Sequence, residues 1–300
     1  MTLPNFLVVG AAKSGTTSLY HYLNNHHDVY LTPRKETNFF AYIDSKPVVK
    51  GWGKPPEMIL NSITTIEEYG QQFESIGTQK AIGEVSPLYL YSSEAPKNIH
   101  RLIPEAKIIA ILRNPVDRAF SHYMHLVRDH REPIDTFREA IEAERERMGQ
   151  GWTWEYYYTD MGFYFLQLAR YYELFDRSQI QVFLYDDLLV DAKQLISDLL
   201  EFLDVDSQIE VDTSFAHNPS GVPRSRALHK LLSEPGGIKN QVRRIVPKGI
   251  RSSIAQMLWE QNLKKSAVGA EMRSALQLLF REDIHSLEPL IDRDLLHWLA

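Results

Sequence analysis

The chain has 300 residues, 44% of them hydrophobic and 24% charged, with a net charge of −6 at neutral pH. That length supports one large α/β domain with a substantial core, and the acidic balance excludes a surface built to coat nucleic acid. No cysteine is present, which excludes disulfides, zinc–thiolate sites, iron–sulfur clusters and cysteine nucleophiles together.

The first predicted element is a buried strand over Phe6 to Val9, a short apolar run. It enters Gly10-Ala11-Ala12-Lys13-Ser14-Gly15-Thr16-Thr17 and then a helical pattern from Ser18 to Asn25. Strand, glycine-bearing loop and helix together aim backbone N–H groups and a helix start at a phosphate. The spacing of Gly10, Gly15 and the following threonines nearly reproduces the P-loop pattern, except that Thr16 stands where that pattern has lysine. The lysine lies three residues earlier, at Lys13.

Val29 to Leu31 reads as a second strand, leading into a proline-started turn with Glu36 between Lys35 and the aromatic pair Phe39-Phe40. Residues 44 to 62 read as irregular loop, and Ile66 to Phe73 as a helix. Lys80 to Val85 is a strand ended by Ser86-Pro87, and Ser93 to Leu102 a helix. Ala106 to Leu112 is the strongest strand signal, a branched apolar run suited to the middle of a parallel sheet. After Arg113-Asn114 a helix starts on Pro115 and carries Asp117, Arg118, Ser121, His122 and His125. Ile134 to Met148 reads as one charged amphipathic helix, Trp152 to Tyr158 as an aromatic connector, and Gly162 to Phe175 as a helix. Ile180 to Leu184 is a further strand and Ala192 to Leu203 a helix. Beyond that point the pattern predicts helices and loops only.

Strands alternating with helices of this length imply parallel βαβ units with right-handed crossovers. A single domain over residues 1–300 is expected: a nucleotide-binding core at 1–226 and a helical extension at 227–300. Ligands of such sheets bind beyond the carboxyl ends of the strands, which puts Lys13, Glu36, Ser86 and Arg113 on one rim. A P-loop NTPase would need an aspartate for Mg²⁺ at the end of a strand. The best candidate strand ends instead in Arg113, whose planar fork suits a phosphate. Ser121, about two helical turns on, can add a hydroxyl. The rim thus offers two anion sites, implying a nucleotide with two separated phosphate groups held without a metal.

On these residues the sequence resembles PAPS-dependent sulfotransferases, whose donor is 3′-phosphoadenosine 5′-phosphosulfate. It is most similar to the branch of bacterial and heparan-sulfate-modifying enzymes. Five segments carry the resemblance in the family's order: Phe6 to Leu19, Lys35 to Phe40, Gly83 to Tyr89, Ile109 to Tyr123, and Asn218 to Ser225. The resemblance implies a P-loop-hydrolase-like fold with a central parallel sheet flanked by helices. It also implies PAPS as donor, PAP as product, and no required metal. Lys13, Ser14, Gly15, Thr16, Thr17 and Ser18 would surround the 5′-phosphosulfate. Arg113 and Ser121 would hold the 3′-phosphate, Arg224 would add an anion contact, and Glu36 would serve as general base. Ala41 and Val85 stand where the heparan-type pattern has an acid and a lysine on its acceptor side, so His122 or His125 is the alternative base.

The expected reaction is in-line sulfuryl transfer to a hydroxyl, in preference to an amine, of a small-molecule, lipid or carbohydrate acceptor, with no nucleic-acid partner. A P-loop kinase or NTPase and a non-catalytic nucleotide-binding protein of the same fold remain the alternatives. Trp52, Trp152, Trp154 and Tyr156 to Tyr158 either line an acceptor cleft or pack in the core. From Val222 to Arg251 eight basic residues face the single acid Glu234, a stretch that is either solvated or drawn to an anionic donor, acceptor or membrane surface. The N-terminus lacks a signal-peptide pattern and no segment reaches the roughly 18 apolar residues of a membrane span, so a cytoplasmic protein is expected. The sequence carries no signal for oligomeric state.

Overall fold

The computed structural model describes residues 2–208 other than 48 and 55, the backbone of Val222–Pro223 and Leu263–Lys264, and residues 267–300. Five strands form one parallel sheet: β1 (Phe6–Gly10), β2 (Val29–Leu31), β3 (Ala81–Val85), β4 (Lys107–Leu112) and β5 (Ile180–Leu184). Their order is β2-β3-β1-β4-β5. The chain leaves β1 to build β2 and β3 on one side, then crosses to the other for β4 and β5. The carboxyl end of β1 therefore sits where the topology reverses, the crevice in which open α/β sheets bind ligands.

Both faces of the sheet are covered, which is why β1 and β4 are continuous apolar runs rather than alternating ones. Leu7, Val9, Ile108, Ala110 and Leu112 point to one layer. There they meet α5 (Ala95–Leu102), α6 (Pro115–Arg128), α9 (Tyr164–Tyr172) and the last helix, α12 (Ala270–Ile291). Phe6, Val8, Ile109 and Ile111 point to the other layer, against α1 (Thr16–Asn24) and α11 (Ala192–Phe202). The ring of Phe6 lies where any side chain at Gly83 would sit, a Cβ there falling 2.1 Å from it. The remaining α-helices among the described residues are α2 (Glu57–Leu60), α3 (Ile66–Gln71), α4 (Leu88–Tyr91), α7 (Phe137–Glu142), α8 (Glu144–Gly149) and α10 (Tyr185–Val190).

The expected strands and the central helices lie close to where the pattern put them, with five differences. The short α2 forms inside residues 44 to 62, expected to be irregular loop. Helix α1 begins at Thr16, two residues before the predicted start, because Gly15 at φ 97° turns the chain directly into it. The short α4 and α10 follow β3 and β5 at once and are too brief to show a helical period. The predicted helix 134–148 is interrupted at Ala143, just before Glu144. That carboxylate turns inward and accepts from the backbone of Thr159 and Asp160. Finally, Val222–Pro223 pairs antiparallel with Leu263–Lys264, a contact too distant in sequence for local pattern to reveal.

Residues 130 to 160 are anchored in the core by Phe137, Tyr156 and Tyr158 and are pinned further by buried ion pairs. Arg131 forks onto Glu155. Arg147 forks onto Glu132 at 2.7 and 2.8 Å, and Glu132 also accepts from the Tyr158 hydroxyl. Each guanidinium meets its carboxylate through two N–H groups, which offsets the cost of drying the charges; the Arg131 Nε is left unpartnered.

Candidate active site

The loop between β1 and α1 has the backbone of an anion cradle. Lys13 and Gly15 both take left-handed conformations, at φ 71° and 97°. At Gly15 a side chain would also strike Leu188 and Tyr185 of α10 at 2.9 and 3.1 Å. Helix α1 opens with no side-chain cap and no acid in its first turn, so the N–H groups of its start and its positive dipole end are left for an anion. Thr16 and Ser18 are buried and Thr17 is half-buried. The Ser14 hydroxyl is wholly buried beside the Tyr164 hydroxyl and short of a well-formed hydrogen bond, the kind of group that a bound oxyanion satisfies.

Lys13 projects from that turn into a crowd of charge. Burial, with the Arg128 guanidinium next, pulls its pKa down to about 8; Asp129 and Glu36 oppose the shift, and Arg113 adds to it. Arg113 follows β4, the strand beside β1. Its guanidinium donates to the Lys13 carbonyl at 3.2 Å and lies 4.8 Å above the ring of Tyr185. Its own carbonyl accepts from the Tyr164 hydroxyl at 2.9 Å. Arg113 does not pair with Asp117, which instead meets Arg273 of α12 at 2.5 Å. Asn114 caps α6 by accepting from the Val116 amide at 3.0 Å and donates to the Trp298 carbonyl at 3.2 Å. Ser121 is buried farther along the same helix.

Glu36 reaches the rim by another route. Its amide donates to the Val85 carbonyl at 3.0 Å, extending the β2–β3 edge, and its backbone is left-handed at φ 63°. Its carboxylate accepts from Lys35 at 2.5 Å, while Arg34 pairs with Glu68. Behind it lies Glu84, a fully buried carboxylate. Tyr69 donates to it at 2.6 Å, Tyr89 at 2.8 Å and Ser86 at 2.5 Å, with Thr37 a fourth donor. Burial raises the pKa of Glu84 against the pull of these four hydroxyls. Through Thr37, and through Ser86, which accepts from the Asn38 amide, Glu84 fixes the turn that carries Glu36.

His122 is buried, with its ring 5.7 Å from Tyr158 and 6.3 Å from Trp154 and its Nδ1 unpartnered. Burial first, then Arg118 and Lys13, hold its pKa well below the usual histidine range, so it stays neutral. His125 is drawn to about 3 by burial, Lys13 and Arg128, and lies 2.6 Å from the Arg128 guanidinium.

The structure therefore gathers Lys13, Ser14, Gly15 and Arg113 at the switch point, with Glu36 and His122 close enough to exchange charge effects with Lys13. Arg224 lies outside the described residues, as do the Asn218 to Ser225 loop, apart from the backbone of Val222–Pro223, and nearly all of the basic stretch from 222 to 251. Sequence reasoning missed Tyr185 beneath Arg113, although extending the strand-end rule to β5 finds it. Arg118 was placed on the helix but given no role; it is fully buried, with Nη2 bonded to the Tyr158 carbonyl and Nε and Nη1 unpartnered. Glu84 gave no signal beyond being an acid in a buried strand.

A family model described as the sulfotransferase family matches residues 4–208. The chain belongs to the sulfotransferase family. Among solved structures, this sulfotransferase is similar to one from Alicyclobacillus acidocaldarius, at 33% identity and a TM-score of 0.79 over the whole of both chains. Among characterised sequences it is 30% identical over 151 residues to the membrane-associated sulfotransferase kil1 of Dictyostelium discoideum, covering 49% of this chain and 29% of that one. It is 32% identical over 209 residues to the mouse bifunctional heparan sulfate N-deacetylase/N-sulfotransferase 4, covering 67% of this chain and 21% of that one. The matched stretch is thus under a third of either relative's length. No helix among the described residues is long and apolar enough to cross a membrane.

Proposed function

We propose that this sulfotransferase moves a sulfuryl group from PAPS to a hydroxyl of its acceptor and releases PAP. The observation that carries the reading is the meeting of Lys13 and Arg113 on adjacent strand ends, beside an uncapped helix start. Lys13, Ser14, Gly15, Thr16, Thr17 and Ser18 would hold the 5′-phosphosulfate, and Arg113 with Ser121 the 3′-phosphate. The Ser14 hydroxyl, short of a well-formed hydrogen bond, and the depressed pKa of Lys13 fit such an anion: the first gains a partner, and the second regains its proton against a counter-charge.

The donor supplies an activated sulfuryl group; the acceptor oxygen bonds to sulfur as the bond from sulfur to the 5′-phosphate oxygen breaks. The ammonium of Lys13 neutralises charge gathering on that leaving oxygen. Glu36 takes the acceptor proton. His122 is the alternative base, because burial keeps its imidazole in the proton-accepting form. An amine acceptor is the second reading, favoured by the mouse relative being named an N-sulfotransferase.

Calorimetric titration with PAP, with and without Mg²⁺, tests the donor assignment: equal binding in both is expected, whereas binding of ATP alone and only with Mg²⁺ would overturn it. For the base, Glu36→Gln should lower the turnover number about a hundredfold or more. Full activity transfers the role to His122.

A further inference from the structure

A second concavity lies outside the donor rim. It is a cavity of about 360 Å³ whose walls include Tyr42, Leu88, Tyr91, Trp154, Asp160 and Arg170. That volume is at the small end of ligand sites and suits a one-ring molecule. Trp154 is the wall shared with the rim: its indole is 6.3 Å from His122, which in turn feels the charge of Lys13. Tyr42, on another wall, follows directly after Ala41, the position where heparan-type enzymes carry an acid.

The charges of this cavity are few and unequal in their commitments. Asp160 accepts from the Tyr91 hydroxyl. The Arg170 guanidinium donates to the Tyr91 carbonyl at 3.2 Å and forms no ion pair among the described residues. The indole N–H of Trp154 is buried against the Tyr42 hydroxyl, which holds both rings in the wall. Three aromatic walls favour a flat ring, one guanidinium without an ion pair favours one carboxylate, and sulfuryl transfer requires a hydroxyl on that ring. One arginine against one aspartate gives no field for a polyanion.

We infer that this cavity is the acceptor site and that it takes a small aromatic alcohol bearing a single carboxylate, not a sulfated polysaccharide. The inference rests on the sulfuryl-transfer reading for its meaning, but the binding it asserts is measured separately. The test uses the full chain, calorimetry, and three probes in the presence of PAP: 4-hydroxyphenylacetate, 4-methylphenol and N-desulfated heparin. The aryl acid is expected to bind, more tightly than the neutral phenol. Arg170→Gln should weaken the aryl acid by about tenfold, the worth of one charge-assisted contact, and leave the neutral phenol unchanged. Trp154→Ala should weaken both. PAP affinity should stay at the wild-type value in each variant, which also reports that the variants fold.

Binding of heparin alone, no binding of the aryl acid, or an aryl-acid affinity indifferent to Arg170→Gln overturns the inference. Loss of PAP binding by the wild type, with aryl-acid binding intact, overturns the donor assignment and leaves this one standing.

Discussion

The donor rim and the aromatic cavity are built in opposite ways. The rim comes from two unbroken segments, 10–18 and 113–121, each a strand end running through a turn into a helix. The cavity draws its walls from 41–42, 88–93, 154–160 and 170, brought together by tertiary packing and by the buried ion pairs of Arg131 and Arg147. The rim's chemistry is backbone geometry plus cations, for which few residue types suffice. The cavity's chemistry is side-chain shape, which drifts without disturbing the sheet. A fold made this way can keep one donor while changing acceptors.

Substitutions separate the two regions, and the largest effect belongs to the rim. Lys13→Ala should cut the turnover number by about a hundredfold to a thousandfold, the usual cost of one preorganised charge at a leaving oxygen, with acceptor binding intact. The pH profile sharpens the point. With its pKa at about 8 in the free protein, Lys13 loses its charge as pH rises through that value, so kcat/KM should fall on the alkaline side. Lys13→Arg should abolish that limb, since guanidinium does not titrate there. An alkaline limb that survives the arginine belongs to another group.

Next in size, Arg113→Lys keeps the charge but loses the fork over Tyr185. We expect PAP to bind roughly tenfold to a hundredfold more weakly by calorimetry, about 1.5–3 kcal/mol. The acceptor KM should not change; if it moves in step, rim and cavity are not independent. Glu84→Gln sits between the regions. Gln offers two N–H donors where the four hydroxyls require an acceptor, and a disturbed buried hydrogen bond costs about 1–3 kcal/mol. Turnover should fall with PAP affinity retained, because the Glu36 turn loosens while the cradle does not. The smallest effect is that of Tyr91→Phe, which removes one hydrogen bond to Asp160 and should raise the acceptor KM only a few-fold. A change in PAP affinity there would break the separation.

This construction also explains what could be read from sequence. The strands, the cradle and the position of Arg113 are legible because apolar runs, Gly15 and Pro115 act within a few residues of themselves. Glu36 was legible as an acid on the rim. The four-hydroxyl shell of Glu84 was not, since Thr37, Tyr69, Ser86 and Tyr89 come from two helices and two connecting turns and no periodicity joins them. The aromatic run at 152–158 divided in a way composition does not foretell: Tyr156 and Tyr158 pack into the core, Trp154 faces the cavity, and the more distant Trp52 is 55% exposed. Helix 134–148 was misread as continuous because its interruption answers to amides at 159 and 160.

The hydrogen bond from Asn114 to the Trp298 carbonyl has a practical side. The last turn, Leu296–Leu299, is an abutment for the residue next to Arg113, and Trp298 also donates its indole N–H to Asp186 at 2.9 Å. Gln277 steadies the same turn through the Trp298 and Ala300 carbonyls at 3.3 and 2.8 Å. A substitution at Trp298, far from the rim in sequence, loosens that abutment. It would register as weakened nucleotide capture in a protein whose sheet remains intact.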